Sequence, residues 1–325
     1  MKISVLTPTY NSLSYLKETL DSLFSQTYRD FELIICNDSE NDKEELPKFL
    51  EANYSEFKNK IKYEQNEKNL GYALNMRKCF EKSEGKIVFL LAQDDIILDP
   101  NLFSKTIEIY ENNPTVGFVV RPYFWFDYDI KNKLRRTPKS TKRIIENDDA
   151  VKHIHTLITT LGQLSGLSFR RYPKIHYHFT PYIFTAHVYP FLQNFLVSDC
   201  YFMKEDTIAV RMSSSQTTFV SSIYNPSPTL TWIQMSDEIF KSHSYLRNIF
   251  RDHFSRNYLG LVQIKNYGYF KDLLSDIKYL IKFRPKNLLN PVFWGYVLGV
   301  IFIPKKLLIF MVNFFKQKIN SRVIA

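Results

Sequence analysis

Apolar positions along the first 120 residues switch between two periods. Ile3-Ser4-Val5-Leu6 reads as a strand, after which Leu13, Leu16, Leu20, Leu23 and Phe24 recur at the spacing of one helix face. Phe31 to Cys36 gives a second strand, Ile61 to Glu64 a weaker third, and Leu70 to Ser83 a second helix. Ile87-Val88-Phe89-Leu90-Leu91 is apolar throughout, as expected of a strand covered on both faces. Leu102 to Tyr110 is helical again, and Val116 to Val120 is a further strand. This alternation predicts an α/β fold with a mostly parallel, Rossmann-like sheet flanked by helices. Ligands collect beyond the carboxyl ends of such strands. The sequence puts polar groups there: Thr7-Pro8-Thr9-Tyr10-Asn11, Asn37-Asp38-Ser39 and Gln93-Asp94-Asp95.

The pattern changes near the end of the chain. Residues 292–303 and 307–315 are apolar stretches separated by Pro304-Lys305-Lys306. Neither reaches the ~20 residues that span a bilayer, and joining them would bury two lysines at mid-depth. The expected arrangement is helices lying in a membrane interface, with Trp294 and the lysines at headgroup level. A packed hairpin insertion and a soluble helical extension or dimer face are the alternatives. Charge sharpens this reading: the net +10 arises from residues 240–325, with 15 basic and 3 acidic side chains, while residues 1–239 carry 28 and 30. Basic charge confined to an apolar tail suits an anionic membrane surface better than nucleic acid, so no nucleic-acid partner is expected.

Three cysteines without a C-x-x-C exclude a disulfide framework and a cysteine zinc site, and point to a reducing compartment. The first apolar stretch is cut short by Thr7-Pro8-Thr9, so no signal peptide is expected. Together these place the catalytic part in the cytoplasm, peripheral on the inner face of the cytoplasmic membrane. Strand one lacks a following G-x-G-x-x-G, which excludes a nicotinamide-dependent dehydrogenase, and no glycine-rich basic loop supports a nucleotidyltransferase.

Taken in order, Thr7-Pro8-Thr9-Tyr10-Asn11, Asn37-Asp38-Ser39, Asn69-Leu70-Gly71 with Asn75, Gly85-Lys86 and Gln93-Asp94-Asp95 resemble the motifs of family 2 glycosyltransferases, over about residues 1–125. Arg211 to Trp232, with Ser215-Gln216-Thr217-Thr218, resembles the closing segment of bacterial members. The resemblance implies the glycosyltransferase A-type fold and an inverting transfer from a nucleotide-diphosphate sugar to a glycan or lipid-linked acceptor, in bacterial surface polysaccharide synthesis. It divides the chain into a nucleotide-sugar half (residues 1–120), an acceptor half (residues 121–240) and a helical, basic, apolar extension (residues 241–325). A catalytically inactive binding or scaffold protein of the same fold is the alternative.

A pyrophosphate repels carboxylates, so an Asp-Asp pair serves a donor site when a divalent cation, Mg or Mn, lies between them. The resemblance assigns the metal to Asp95, and to Asp94 either the donor ribose or an assisting role through water. Read alone, the pair could cap the helix near Pro100, and Asp148-Asp149 is a second pair without such a setting. Asp38 is placed against the imide of uracil or thymine, with Thr9 and Tyr10 bordering the same pocket. Asn-Asp-Ser is also ordinary turn chemistry. Asn69 and Asn75 belong to the donor motifs, and Arg77 would suit the diphosphate or simply face solvent.

Direct displacement needs a base for the acceptor hydroxyl. Many members supply it from a Glu-Asp pair, for which this chain has Phe184-Thr185-Ala186-His187-Val188-Tyr189-Pro190. His187 is the first candidate, followed by Asp199 and Glu205.

Overall fold

The computed structural model describes residues 1–127, 129–131, 133–136, 144–145, 150–182, 184–212, 221–312 and 314. Asp148-Asp149 and Ser215-Gln216-Thr217-Thr218 lie outside the described residues. The chain divides into two compact units, one of residues 1–181 and 186–211, the other of residues 182–185 and 212–325.

In the first unit the strands are β1 (Ile3–Thr9), β2 (Phe31–Asn37), β3 (Ile61–Gln65), β4 (Ile87–Leu90), β5 (Ile96–Ile97), β6 (Val116–Val120), β7 (Tyr123–Phe126), β8 (Lys133–Arg136), β9 (Ile144–Ile145), β10 (Ser168–Arg170), β11 (Asp199–Phe202) and β12 (Ile208–Arg211). The helices between them are α1 (Leu13–Phe24), α2 (Glu45–Tyr54), α3 (Tyr72–Lys82), α4 (Leu102–Asn112), α5 (Ala150–Leu161) and α6 (Val188–Phe195). Eight strands form the main sheet in the order β3-β2-β1-β4-β10-β6-β11-β9, and β5-β12-β7-β8 form a smaller one. The central pairs β2/β1 and β1/β4 are parallel, as is β6/β11, whereas β10 runs antiparallel between β4 and β6. The expected α/β fold is therefore present. Every residue of β1, β2 and β4 is buried because helices cover both faces. Leu16, Leu20 and Leu23 of α1 pack on Val5, Leu33 and Phe89 from one side. β3 is an edge strand and half-buried, which explains its weaker apolar pattern.

The second unit is helical: α7 (Pro228–Ile239), α8 (Ser244–Phe254), α9 (Leu259–Tyr267), α10 (Phe270–Phe283), α11 (Pro291–Phe302), and helical residues 305–312. Ser227 caps α7 by accepting from Leu230 N (3.2 Å), and the buried Asp276 of α10 accepts from Thr229 N (3.1 Å) and Thr229 Oγ1 (3.0 Å). Asn287 is a second buried tie, donating to Ser255 O and Leu280 O and accepting from Tyr258 Oη. The inward face of α11, Phe293, Val297 and Val300, is buried with Leu261, Leu273 and Leu280. Its other face leaves Val292, Leu298 and Phe302 at 58%, 50% and 76% exposure.

The packing boundary thus falls at Met212, not at residue 241, and α7 belongs with the tail. Charge composition changes at 240, but a unit is defined by which apolar faces bury one another. Among the described residues no helix is long and apolar enough to cross a membrane.

Candidate donor site at the carboxyl edge of the sheet

β1, β2 and β4 end side by side, so the loops after them share one edge. Asp38, just beyond β2, is buried and holds the loop before α3. Its Oδ1 accepts from Asn66 Nδ2 (2.8 Å) and Leu70 N (2.8 Å), and its Oδ2 from Gly71 N (2.7 Å). Gly71 has φ +77° with open space where a Cβ would stand, so glycine is required there by backbone conformation alone. Asn75 is buried beneath this loop. It accepts from Asn66 Nδ2 (2.9 Å) and donates to Cys36 O (2.9 Å), tying α3 to β2. A cleft of about 220 Å³, open to solvent, adjoins Asp38 and is lined also by Tyr10, Glu40, Gln65, Lys68 and Asn69. Thr9 is buried below it, with Oγ1 directed to Asn37 Oδ1 (3.2 Å), and does not line the cleft.

The two carboxylates after β4 have different surroundings. Asp95 is 1% exposed; its Oδ1 accepts from Arg211 N (2.9 Å) and its Oδ2 from Gln163 Nε2 (3.2 Å). Burial, with the neighbouring Asp94 charge, pushes Asp95 up to about 8. Asp94 is half-buried, and burial raises it too, against the pull of Arg211. Asp95, which the sequence resemblance assigns to the metal, is thus committed to interior hydrogen bonds, whereas Asp94 is half-buried.

Among the described residues no three His, Cys, Asp or Glu side chains cluster as a metal site. One free carboxylate fits a Mg- or Mn-type ion that completes its shell with phosphate oxygens and water, not an ion held by protein alone.

Arg211, which the sequence marks only as the start of the closing segment, takes a part in the site that the sequence does not assign. Its Nε donates to Asp94 O (3.2 Å), its Nη2 pairs with Glu18 (2.6 Å), and the guanidinium lies 4.6 Å from the ring centroids of both Tyr15 and Phe126. β12 delivers it beside the acidic turn by pairing with β5, a contact across more than a hundred residues with no local signal.

Three other expected roles are corrected. Arg77 is exposed and paired with Glu81 one turn on (2.7 Å), so it is a solvated helix residue rather than a diphosphate ligand. Asp199 opens β11, which runs parallel to β6, and so lies at the amino edge of the sheet, opposite the acidic turn. Glu205 follows β11 but sits at the far end of the β5/β12 ladder, where Leu98 N meets Thr207 O, whereas Asp95 meets Arg211 N.

His187 stands at the N-cap position of α6, and both its ring nitrogens are engaged away from that helix. Nε2 lies 2.8 Å from Leu161 O and so carries the proton, which leaves Nδ1 to accept from Tyr72 Oη (3.0 Å). Burial pushes it down to about 4. An imidazole without a free lone pair holds the first residue of α3; it does not take an acceptor proton. The stability it contributes is complete above its unfolded pKa of about 6.5 and is lost as pH falls from there toward 4, by up to about 3 kcal/mol. In His187→Gln the acid-side fall in Tm between pH 6.5 and 4.5 should be shallower than in the wild type. Equal slopes would show that His187 titrates normally and is accessible.

A model of the family described as glycosyl transferase family 2 matches residues 4–168. The glucosyl-dolichyl phosphate glucuronosyltransferase of Haloferax volcanii is 30% identical over 178 residues, which cover 53% of this chain and 53% of that protein. Across eight curated relatives the match spans 16–57% of their own length. Among solved structures, S. aureus TarS (residues 1–349) aligns with TM-score 0.65 and 16% identity over 93% of this chain and 88% of that one, and TarS has been seen with UDP-GlcNAc. The mannosyltransferase PcManGT of Pyrobaculum calidifontis, in complex with GDP-Man and Mn2+, aligns with TM-score 0.54 and 12% identity over 92% of this chain and 85% of that one. At these identities the structural matches speak to fold.

Proposed function

The chain belongs to glycosyl transferase family 2, and on that premise we propose that it is an inverting enzyme that moves a sugar from a nucleotide-diphosphate donor to a lipid-linked glycan of a bacterial surface polysaccharide. One observation carries the donor half of this reading: the cleft beside Asp38 and the half-buried Asp94 stand at one edge of the sheet, on the loops that flank the one after β1. That spacing suits a ligand with a base at one end and a diphosphate at the other. Asp38 holds the 66–71 loop in shape and keeps an acceptor edge on the cleft for a base N–H. Asn69 and Tyr10 line the same cleft. Asp94 would hold a divalent cation against the donor, and Asp95 with Arg211 fixes the turn that presents it. Held by Asp94, such a cation would supply charge neutralisation to the departing diphosphate. The UDP-GlcNAc and GDP-Man/Mn2+ complexes of the structural neighbours support a donor of this class.

The acceptor half rests on the tail. The outer face of α11 exposes Val292, Leu298 and Phe302, and residues 305–312 expose Leu307, Phe310 and Met311. No acidic residue follows Asp276, whereas nine basic ones do. Apolar surface within such a cationic stretch suits a peripheral seat on an anionic membrane, where lipid-linked acceptors are presented.

The test is a thermal-shift screen of nucleotide sugars with Mn2+ and with chelator. A ligand that binds the folded state alone at 100 times its Kd adds about 2.7 kcal/mol of stability. One nucleotide class should raise Tm in Mn2+ and do so less in chelator. A screen in which no nucleotide sugar shifts Tm under either condition would sink the donor reading.

A further inference from the structure

We propose that Gln93 is a positioning residue that couples the acidic turn to the nucleobase cleft through Tyr10, an inference that rests on the donor-site reading above. Gln93 immediately precedes Asp94. Its side-chain amide meets the main chain of Tyr10 at both ends: Oε1 accepts from Tyr10 N (2.7 Å) and Nε2 donates to Tyr10 O (2.9 Å). A primary amide here does what a neighbouring β-strand would do, satisfying the donor and the acceptor of one residue together. An ionised Glu at this position could accept from Tyr10 N but could not donate to Tyr10 O.

Gln93 is itself held from behind. Thr19 of α1 donates to Gln93 O (3.0 Å), and the turn around it is fixed by Ser165 Oγ, which accepts from Ala92 N (2.8 Å), and by the interior bonds of Asp95. The anchor therefore lies on the metal side and the held segment on the base side. That segment needs holding. Asn11, next to Tyr10, has φ +49°, a left-handed conformation that costs a non-glycine residue free energy. Asn11 is clasped from the other flank by Ser39 Oγ (2.7 Å) and Asn41 Nδ2 (3.1 Å), both donating to its Oδ1. Tyr10 is 51% exposed and its side of the cleft faces Asp38, so its ring offers an aromatic surface to a base. Held by Gln93 and Asn11 together, the main chain that carries the ring is in place before a ligand arrives, and binding does not have to order that backbone.

Calorimetric titration of four proteins tests this: wild type, Gln93→Ala, Tyr10→Ala and the double variant. UDP and GDP with Mn2+ report the whole site, and UMP and GMP in chelator report the base end alone. Gln93→Ala should weaken both the diphosphate and the monophosphate by about tenfold, Tyr10→Ala should match it, and the double variant should be no weaker than the poorer single one. Wild-type monophosphate affinity in Gln93→Ala overturns the inference. So does a loss confined to the Mn2+ titrations, which would make Gln93 a support for Asp94 alone, or single losses that multiply in the double variant. Failure of the donor reading looks different: the wild type itself then binds none of the four nucleotides.

Discussion

Asp94→Ala should abolish transfer, by roughly 10³-fold or more, and remove the metal dependence of nucleotide binding while leaving Tm nearly unchanged. Asp95→Ala should behave differently. Asp94 is half-buried and accepts no internal hydrogen bond that the fold depends on beyond its backbone, so truncating it leaves nothing interior unsatisfied. Asp95 takes Arg211 N and Gln163 Nε2 in the interior, and alanine would strand both donors at about 1–3 kcal/mol each. Asp95→Ala should therefore lose stability and activity together, through a loosened turn. Thermal melts, activity and Mn2+-dependent nucleotide titrations on the two variants separate the cases. A stable, inactive Asp95→Ala beside an active Asp94→Ala would return the metal to Asp95.

A chain cut near Pro285 should lose its helical unit, and this is the second large effect. If residues 292–303 and 307–315 were only interfacial helices, as the sequence pattern suggests, their removal would cost membrane association alone. The packing contradicts that. The cut removes Asn287 with its four side-chain hydrogen bonds to Ser255, Leu280, Tyr258 and Arg284, and it takes Phe293, Val297, Val300 and Leu308 out of the apolar core. At about 1.5–3 kcal/mol for each buried apolar side chain, the loss exceeds what a small helical unit can spare. The membrane question needs substitutions that spare the inner face. Phe302→Glu with Phe310→Glu changes side chains 76% and 65% exposed and should move stability by less than about 0.5 kcal/mol each. The pair should nevertheless release the protein from anionic vesicles in a flotation assay. High salt should partly release the wild type, because each lysine near the surface contributes about 1 kcal/mol that screening removes. Flotation unaffected by the two glutamates would separate the outer face from membrane binding, and a cut chain that melts like the wild type would make α11 an appendage after all.

The base for the acceptor hydroxyl is where the three named candidates give way. His187 has both ring nitrogens occupied, Asp199 opens β11 at the amino edge of the sheet, and Glu205 lies at the end of the β5/β12 ladder away from Asp95. His187 still sits beside the donor loop through Tyr72, which gives it a role in holding α3.

The sequence by itself determined the alternation of β1, α1, β2, α3 and β4, because periodicity records which faces a segment must bury, and burial is decided within a dozen residues. It also located the loops that carry Asp38 and Asp94, since the chain order of strand and polar turn survives folding unchanged. Tertiary structure alone decided what those carboxylates can do. Asp94 and Asp95 are adjacent in sequence and identical in chemistry, and they differ because β12 and residues 163–165 close over one and not the other. The same holds for the three-residue β10 inserted between β4 and β6, for Arg211 behind the turn, and for the single helix whose two apolar faces part into core and surface. Each depends on contacts between segments far apart in the chain, and local sequence carries no record of which distant partner will arrive to take a proton donor, bury a charge or cover an apolar face.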